Sequence, residues 1–244
     1  MSNLNGKIAL VTGASRGVGA EIARLLAESG CDVIINYRSK RPRAEAVAES
    51  VRSLGRRAVL AGADLTDAVE CAVMLDLARA EFGRLDLLVL NASGGLEKDK
   101  APDYAMELNL TAQARLADLS VPIMSAGGRI VFVTSHLAHF HGEREVYNSY
   151  EPVAASKKAG EDALRRRIPE LANRGISLVV VSGDLIEGTI TPRLMERLNP
   201  GMTERRRAQA GTLPTVETFA RAIVDAAGDE ALESGATVFV GAVV

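Results

Sequence analysis

Short, nearly unbroken apolar runs alternate along the chain with longer stretches whose apolar positions recur every three or four residues. The runs are KIALVT (7–12), DVIINY (32–37), AVLAG (58–62), DLLVLN (86–91), RIVFVTS (129–135), SLVVVSG (177–183) and ATVFVG (236–241). Runs rich in Val, Ile and Leu without polar alternation suit strands covered on both faces. The stretches between them include AEIARLLAESG and AEAVAESVRSLG, each ending on a glycine placed to close a helix. Strict alternation of strand and helix predicts one α/β domain spanning residues 1–244, built on a doubly wound, seven-stranded parallel sheet. No internal repeat, low-complexity tract or Pro/Gly-rich linker divides it.

Residues 190–213 break the rhythm. They carry TPRLMERLNPGMTERRRAQAG, polar and helix-like, between the sixth and seventh strands. A segment that leaves a strand's carboxyl end sits where ligands bind in such sheets. It reads either as a mobile lid over a cleft or as an extra pair of surface helices.

The 244 residues, 47% hydrophobic, suffice for a sizeable core. A formal net charge of -2 gives no pull towards nucleic acid or an anionic membrane. The opening MSNLNGKIALVTG has no basic region before a long apolar run, and no apolar stretch reaches spanning length. A soluble cytoplasmic protein acting on a small molecule is the expectation. Cys31 and Cys71 lack metal-ligand spacing and are expected as buried thiols.

TGASRGVG (12–19) follows the first strand and opens the first helix. Gly13, Gly17 and Gly19 permit a tight turn and close backbone approach, and the helix N-terminus offers free N–H groups to a pyrophosphate. The spacing is G-x-x-x-G-x-G rather than the commoner G-x-G-x-x-G. The second strand runs into INYRSKRPR, without the acidic residue that would bind the ribose hydroxyls of NAD. Arg38, Lys40 and Arg41 follow, and Arg16 in the glycine loop adds a fourth cation. A basic pocket lacking the acid favours a 2′-phosphate, hence NADP(H) over NAD(H). Asp64 in GADLTD is placed to accept from an adenine amino group or to cap the next helix. Asn91 in LNASGG leads a turn beside the cofactor or bonds within that turn.

Taken together and in order, TGASRGVG, Asp64, NASG, the asparagine of ELNLTAQ (Asn109) and the serine of VFVTS (Ser135) resemble the short-chain dehydrogenase/reductase family over nearly the whole chain. The resemblance implies a Rossmann fold and hydride transfer between a nicotinamide and a carbonyl, alcohol or conjugated double bond. It implies cofactor contacts from Gly13, Ser15, Arg16, Gly17, Val18, Gly19, Tyr37, Arg38, Asp64, Leu65, Asn91, Ala92, Ser93, Lys157 and Thr189. Ser135 would bind the substrate oxygen, a tyrosine would move the proton, a lysine would bind ribose and lower the tyrosine's pKa, and Asn109 would hold a relay water. A homo-oligomer, dimer or tetramer, is implied by the same analogy.

The commonest family spacing, Tyr-x-x-x-Lys, is missing. Four residues before Lys157 stands Val153. Tyr150 and Lys157 give Tyr-x6-Lys, nearly on one helical face but roughly 10.5 Å apart along the axis if both were helical. Pro152 favours a helix start and pushes Glu151 out of the α region, which leaves Tyr150 just outside the helix, free to curl towards Lys157. The spacing, and the preceding GEREVYNSY, are similar to the enoyl-acyl-carrier-protein reductase branch. Tyr147 and Lys158 are the alternative pair members, and Tyr150 as a mere loop aromatic is the alternative to any role.

Further departures bear on the substrate. SGD (182–184) replaces a Pro-Gly, so Asp184 brings a carboxylate with no role carried over from the family. The glycine pair expected after the last strand is absent from VFVGAVV. The histidines of HLAHFH, at 136, 139 and 141, lack chelate spacing and are expected to be structural or part of a substrate loop, with no metal. The arginine runs 165–167 and 205–207 read as solvated helix faces, or as a surface for an acidic carrier. Three functions follow: NADP-dependent reduction of a carbonyl, on an acyl thioester or polyketide-like substrate; enoyl thioester reduction; or a non-enzymatic NADP sensor on the same scaffold.

Overall fold

The computed structural model describes residues 4–97 and 99–243. Seven strands, β1 (Ile8–Val11), β2 (Asp32–Tyr37), β3 (Ala58–Gly62), β4 (Leu85–Leu90), β5 (Met124–Ser135), β6 (Ser177–Gly183) and β7 (Thr237–Val240), form one sheet in the order β3-β2-β1-β4-β5-β6-β7. Every pairing is parallel. Parallel strands need crossovers, and the helices that supply them cover both faces.

On one face α1 (Gly17–Glu28), α2 (Arg41–Ser53) and α11 (Val216–Gly228) pack against Val11, Val33, Val89, Val131 and Val179. On the other, α3 (Ala68–Phe82) and α5 (Ala112–Ser120) cover Leu10, Ile34, Leu88, Ile130 and Val180. Alternate residues of each strand therefore enter opposite cores, which explains the unbroken apolar runs. The glycines expected to close α1 and α2 both adopt positive φ, +91° at Gly30 and +75° at Gly55. Asp67, not Asp64, caps α3: its carboxylate accepts from the N–H groups of Val69 and Glu70.

β5 begins five residues before the expected Arg129. MSAGG has little strand character, but Leu85 pairs with Met124 before a register shift restores the ladder at Leu87–Arg129. Between β4 and β5 the chain runs through α4 (Tyr104–Met106) and a π-helical turn (Glu107–Thr111) into α5. The remaining helices are α6 (His136–His139), α7 (Glu151–Arg165), α8 (Ile168–Ala172), α9 (Ile190–Leu198) and α10 (Met202–Ala210). Strand order reverses between β1 and β4, and a crevice opens beyond the carboxyl ends there.

Candidate active site

The crevice is a cavity of about 530 Å³ running from Val18, Asn91 and Ser93 past Ser135, Tyr150 and Lys157 to Met195 and Met202. At its β1 end the glycine loop is held by side chains rather than by its own turns. Asn36 Oδ1 accepts from Gly13 N at 3.1 Å, while Asn36 Nδ2 donates to the carbonyls of Ala61 and Ala63, each at 3.2 Å. Thr12 Oγ1 accepts from the N–H groups of Asn91 (2.9 Å) and Ala92 (3.0 Å), and Asn91 Nδ2 donates to Thr12 O at 2.9 Å. Asn91 thus bonds across to β1 rather than within its own turn. A Cβ on Gly19 would lie 2.5 Å from Gly13 O and 2.6 Å from Asn91 Nδ2, so only glycine fits the close approach.

α1 begins at Gly17 with no side-chain cap, leaving first-turn N–H groups open at the cavity mouth. That is the donor set a pyrophosphate needs, so the residues present fit a dinucleotide. Ser15, Arg16 and Val18 belong to this loop and helix start, with Arg16 exposed at the cap position. At the end of β2, Tyr37 is buried and Arg38 Nη1 donates to the Tyr104 hydroxyl at 2.6 Å. The Lys100 ammonium lies 4.6 Å from the Tyr104 ring centre. Burial works to raise the pKa of Asp64, but its bonds from Thr66 and the cations of Arg38 and Lys100 outweigh that and leave it low. Lys100 and Tyr104 belong to this basic corner and are absent from the sequence-based set; their distance along the chain from β2 gives no local signal. Leu65 is buried behind Asp64.

At the reacting end, Ser135 terminates β5 and caps α6, its hydroxyl accepting from Ala138 N at 3.3 Å. Its Oγ lies 3.1 Å from the Tyr150 hydroxyl. Tyr150 is the N-cap residue of α7, which starts at Glu151 with Pro152 in its first turn. The phenol is buried beside Val153, Ala154, Met195 and Met202. Tyr147 also lines the cavity, and its carbonyl accepts from Tyr150 N at 2.7 Å, forming the turn that swings Tyr150 inward. The two lysines part company: Lys157 is buried at the cavity, while Lys158 bonds Asp162 at 2.8 Å on the outer face of α7.

Burial pushes the Tyr150 phenol up, with the Ser135 hydrogen bond opposing it. Burial also pulls the Lys157 ammonium down to about 8, with the Glu161 carboxylate opposing it. The expected lowering of the tyrosine is therefore not found: burial wins, and the Tyr150 phenol lies above its ordinary value.

Asn109 sits in the π-helical turn, buried. Its amide donates to Gly94 O (2.9 Å) and Ser156 Oγ (3.0 Å), and its Oδ1 accepts from Gly94 N (3.2 Å). It braces the turn after β4 against the residue that precedes Lys157. α7 passes so close that a Cβ on Gly160 would lie 2.1 Å from Asn109 O.

A sequence model of the family described as short chain dehydrogenase matches residues 7–198. The chain is a short-chain dehydrogenase. A hydroxynaphthalene reductase-like protein of Metarhizium majus is 33% identical over 186 residues, covering 74% of this chain and 68% of that protein. A short chain dehydrogenase from Burkholderia cenocepacia in complex with NADP superposes with a TM-score of 0.84 at 30% identity, covering 98% of this chain and 97% of that one. A 7α-hydroxysteroid dehydrogenase complexed with NADH and 7-oxo glycochenodeoxycholic acid gives a TM-score of 0.84 at 28% identity, over 98% and 94%. The chain is thus an NAD(P)-dependent oxidoreductase of Rossmann fold.

Two features shape the outer part of the cavity. Residues 190–213 fold as α9 and α10, an extra helix pair that lines the cavity through Pro192, Met195, Met202 and Arg206. Thr189 occupies the N-cap position of α9 without a side-chain cap bond, its hydroxyl donating instead to Ile186 O at 2.9 Å. Asp184 receives Arg206 of α10 in a two-point contact, Nε at 2.7 Å and Nη2 at 2.9 Å, and Arg206 Nη2 also donates to Ala242 O. Asn199, in the turn between the two helices, donates to Ser149 Oγ at 2.7 Å.

In the arginine runs Arg166, Arg205 and Arg207 are exposed as expected, while the others are less solvated. Arg165 and Arg206 are half-buried and tied into the fold; Arg167 pairs with Asp118 and Arg207 with Glu187. The histidines take three separate partners: His136 with Ser182, His139 with Glu161 and His141 with Glu151. Burial pulls His136 down to about 4, so it is neutral near pH 7, with Asp184 opposing the shift. Cys31 and Cys71 are buried free thiols. Among the described residues, no helix is long and apolar enough to cross a membrane.

Proposed function

We propose that the protein reduces a ketone with NADPH, Tyr150 delivering the proton. The observation that carries this reading is the 3.1 Å contact between Ser135 Oγ and the Tyr150 hydroxyl on the cavity wall. Two hydroxyls so placed can both reach one carbonyl oxygen. A nicotinamide held there would supply the hydride that the carbonyl carbon takes up. As charge develops on oxygen, Ser135 donates a hydrogen bond and Tyr150 gives up its proton. A phenol whose burial keeps it protonated is the form this direction needs. The Lys157 ammonium, one surface of the same cavity, stabilises the phenolate left behind and binds ribose. Asn109 keeps Gly94 and Ser156 in place and positions the proton relay.

NADPH is favoured over NADH by Arg38 and Lys100, which gather around Tyr104 beside Asp64, and by the lack of an acidic residue in INYRSKRPR at the end of β2. Among the relatives both cofactors occur, so this preference rests on the basic corner. The apolar walls from Val146, Leu185, Met195 and Met202 suit a ring system or acyl chain, and hydroxynaphthalene reductase-like relatives support a polyketide-like ketone. α9 and α10 act as the lid. By family analogy the protein is a cytoplasmic dimer or tetramer.

Enoyl thioester reduction is the second reading, favoured by Tyr150 at the N-cap, seven residues ahead of Lys157. There the same phenol would protonate an enolate. A panel of cyclic ketones, β-keto thioesters and enoyl thioesters with NADPH separates the two. Turnover of enoyl substrates alone contradicts the ketone assignment. NADPH binding without any turnover leaves the sensor.

A further inference from the structure

α7 carries two lysine–acid pairs one helical turn apart, side by side: Lys158 with Asp162, and Lys157 with Glu161. The outer pair is in direct contact at 2.8 Å. The inner pair is not closed in this way. Glu161 is fully buried, and both of its oxygens are taken: Oε2 by His139 Nδ1 at 2.9 Å, and Oε1 by Arg165 Nε at 2.8 Å.

The two clamps are themselves anchored. Arg165 donates to Gly235 O, just before the edge strand β7, and to Thr237 Oγ1 at its start, each at 2.6 Å. The His139 ring stands edge-on to Phe140 and Phe239, with centroids 4.8 and 5.2 Å away. Glu161 is thereby held back from pulling Lys157 into an ordinary helix salt bridge. Among the described residues Lys157 Nζ makes no hydrogen bond, and its side chain lines the cavity. A carboxylate one turn away, in a medium of low dielectric, still acts on it.

We propose that Glu161, clamped by His139 and Arg165, is a positioning residue that keeps Lys157 in its ammonium form while leaving the ammonium pointed at the cavity. The inference rests on the reading that Lys157 serves Tyr150. Of the charged groups around Lys157, Glu161 is the one that opposes its burial. Around the carboxylate itself stand His139 from α6 and Arg165 from α7. The next charges, Asp184, Arg206 and Arg144, act on His136 beside that cluster. A neutral side chain at 161 takes away the opposition to burial, so Lys157 loses its proton at lower pH.

The test is the pH profile of kcat for NADPH-dependent ketone reduction in wild type, Glu161→Gln, Glu161→Asp and Lys157→Met. In Glu161→Gln the alkaline limb moves down by about one pH unit, a tenfold lower kcat beyond it, with kcat on the acidic plateau and the NADPH Kd within about twofold of wild type. Glu161→Asp keeps the charge and falls between the two. A purely structural role lowers kcat by the same factor at every pH, and an unmoved limb in Glu161→Gln overturns the proposal. If the glutamine variant does not fold, NMR titration of the Lys157 side chain in wild type against Glu161→Asp decides: a lower midpoint in the aspartate variant supports the proposal, and equal midpoints overturn it. Wild-type kcat in Lys157→Met overturns the reading of Lys157 on which the proposal rests. That outcome is distinct from an unmoved limb beside an inactive Lys157→Met.

Discussion

Ser135 Oγ and the Tyr150 hydroxyl stand 3.1 Å apart although the two residues belong to different elements and the tyrosine lies outside the helix that carries Lys157. The turn from Tyr147, closed by Tyr150 N donating to Tyr147 O, makes the approach, and Pro152 starts the helix just after it. Tyr150 lines the cavity whereas Val153, one turn before Lys157, does not, although both belong to the same apolar cluster. Tyr150→Phe is expected to lower kcat by about 10²–10⁴-fold. The NADPH Kd should stay within about twofold, and Tyr147→Phe should change kcat far less. Steady-state kinetics with a fluorescence titration of NADPH checks all three.

The two buried groups give a pH dependence with a definite sign. Reduction needs a protonated Tyr150 and a charged Lys157. Tyr150 is pushed above its ordinary value of 10.0, whereas Lys157 is pulled to about 8. The reduction rate should therefore be flat on the acid side of about 8 and fall above it as Lys157 loses its proton, in profiles of kcat from pH 6 to 10.

The same shift is a stability statement. Between about 8 and 10.5 the unfolded chain binds a proton on Lys157 that the folded one has released, so this residue's contribution to stability improves as pH rises through that window. Lys157→Met, which removes a buried ammonium, should raise Tm by ~2–4 °C at pH 7 while abolishing reduction. Calorimetry beside the activity assay shows whether the two effects part.

Much of this arrangement is legible along the chain, and the illegible parts share a cause. β2, β3 and β6 have the expected limits because their runs are continuous and end at turn residues. Pro152 marks the start of α7 to within one residue, but Glu151, expected outside the α region, is the first residue of the helix, because the turn closed on Tyr147 O already holds Tyr150 and Glu151 in helical conformation. The first five residues of β5 have no such mark, since MSAGG pairs only through a register shift set by β4. Arg165 and Arg206 read as solvated because their partners lie elsewhere: the edge strand for one, the end of β6 for the other. Asp184, with no role assignable by resemblance, turns out to be the partner of Arg206. The brace from Asn36 to the glycine loop and the Lys100–Tyr104 corner are likewise contacts between distant segments, invisible to local pattern.

The lid contact is testable on its own. Asp184→Asn weakens the tie between the end of β6 and α10. Removing one charge of a largely buried pair commonly costs ~3–5 kcal/mol, discounted here because Arg206 is partly exposed. Hydrogen exchange in α9 and α10 should quicken by at least about tenfold, with KM changing more than the NADPH Kd. Unchanged exchange in α10 would place the hold on the lid elsewhere.

Close packing sets a further limit. A methyl group at Gly160 would meet Asn109 O at 2.1 Å, and neither the π-helical turn nor α7 can yield without moving Asn109 or Lys157. Gly160→Ala should cost about 1–3 kcal/mol, the usual range for overpacking, and lower kcat as well. Denaturant melts and kcat on the same preparation check both.

The account stands or falls on where hydride and proton go. Incubating the enzyme with a cyclic ketone and NADPH deuterated at the transferable position, then analysing the product by mass spectrometry and NMR, tests this directly. The account predicts one deuterium on the new carbinol carbon, and a rate of labelled-product formation about 10²–10⁴-fold lower in Tyr150→Phe, although that variant still binds NADPH. Deuterium placed on carbon β to an untouched carbonyl, or labelled product formed at an equal rate by Tyr150→Phe, would contradict it.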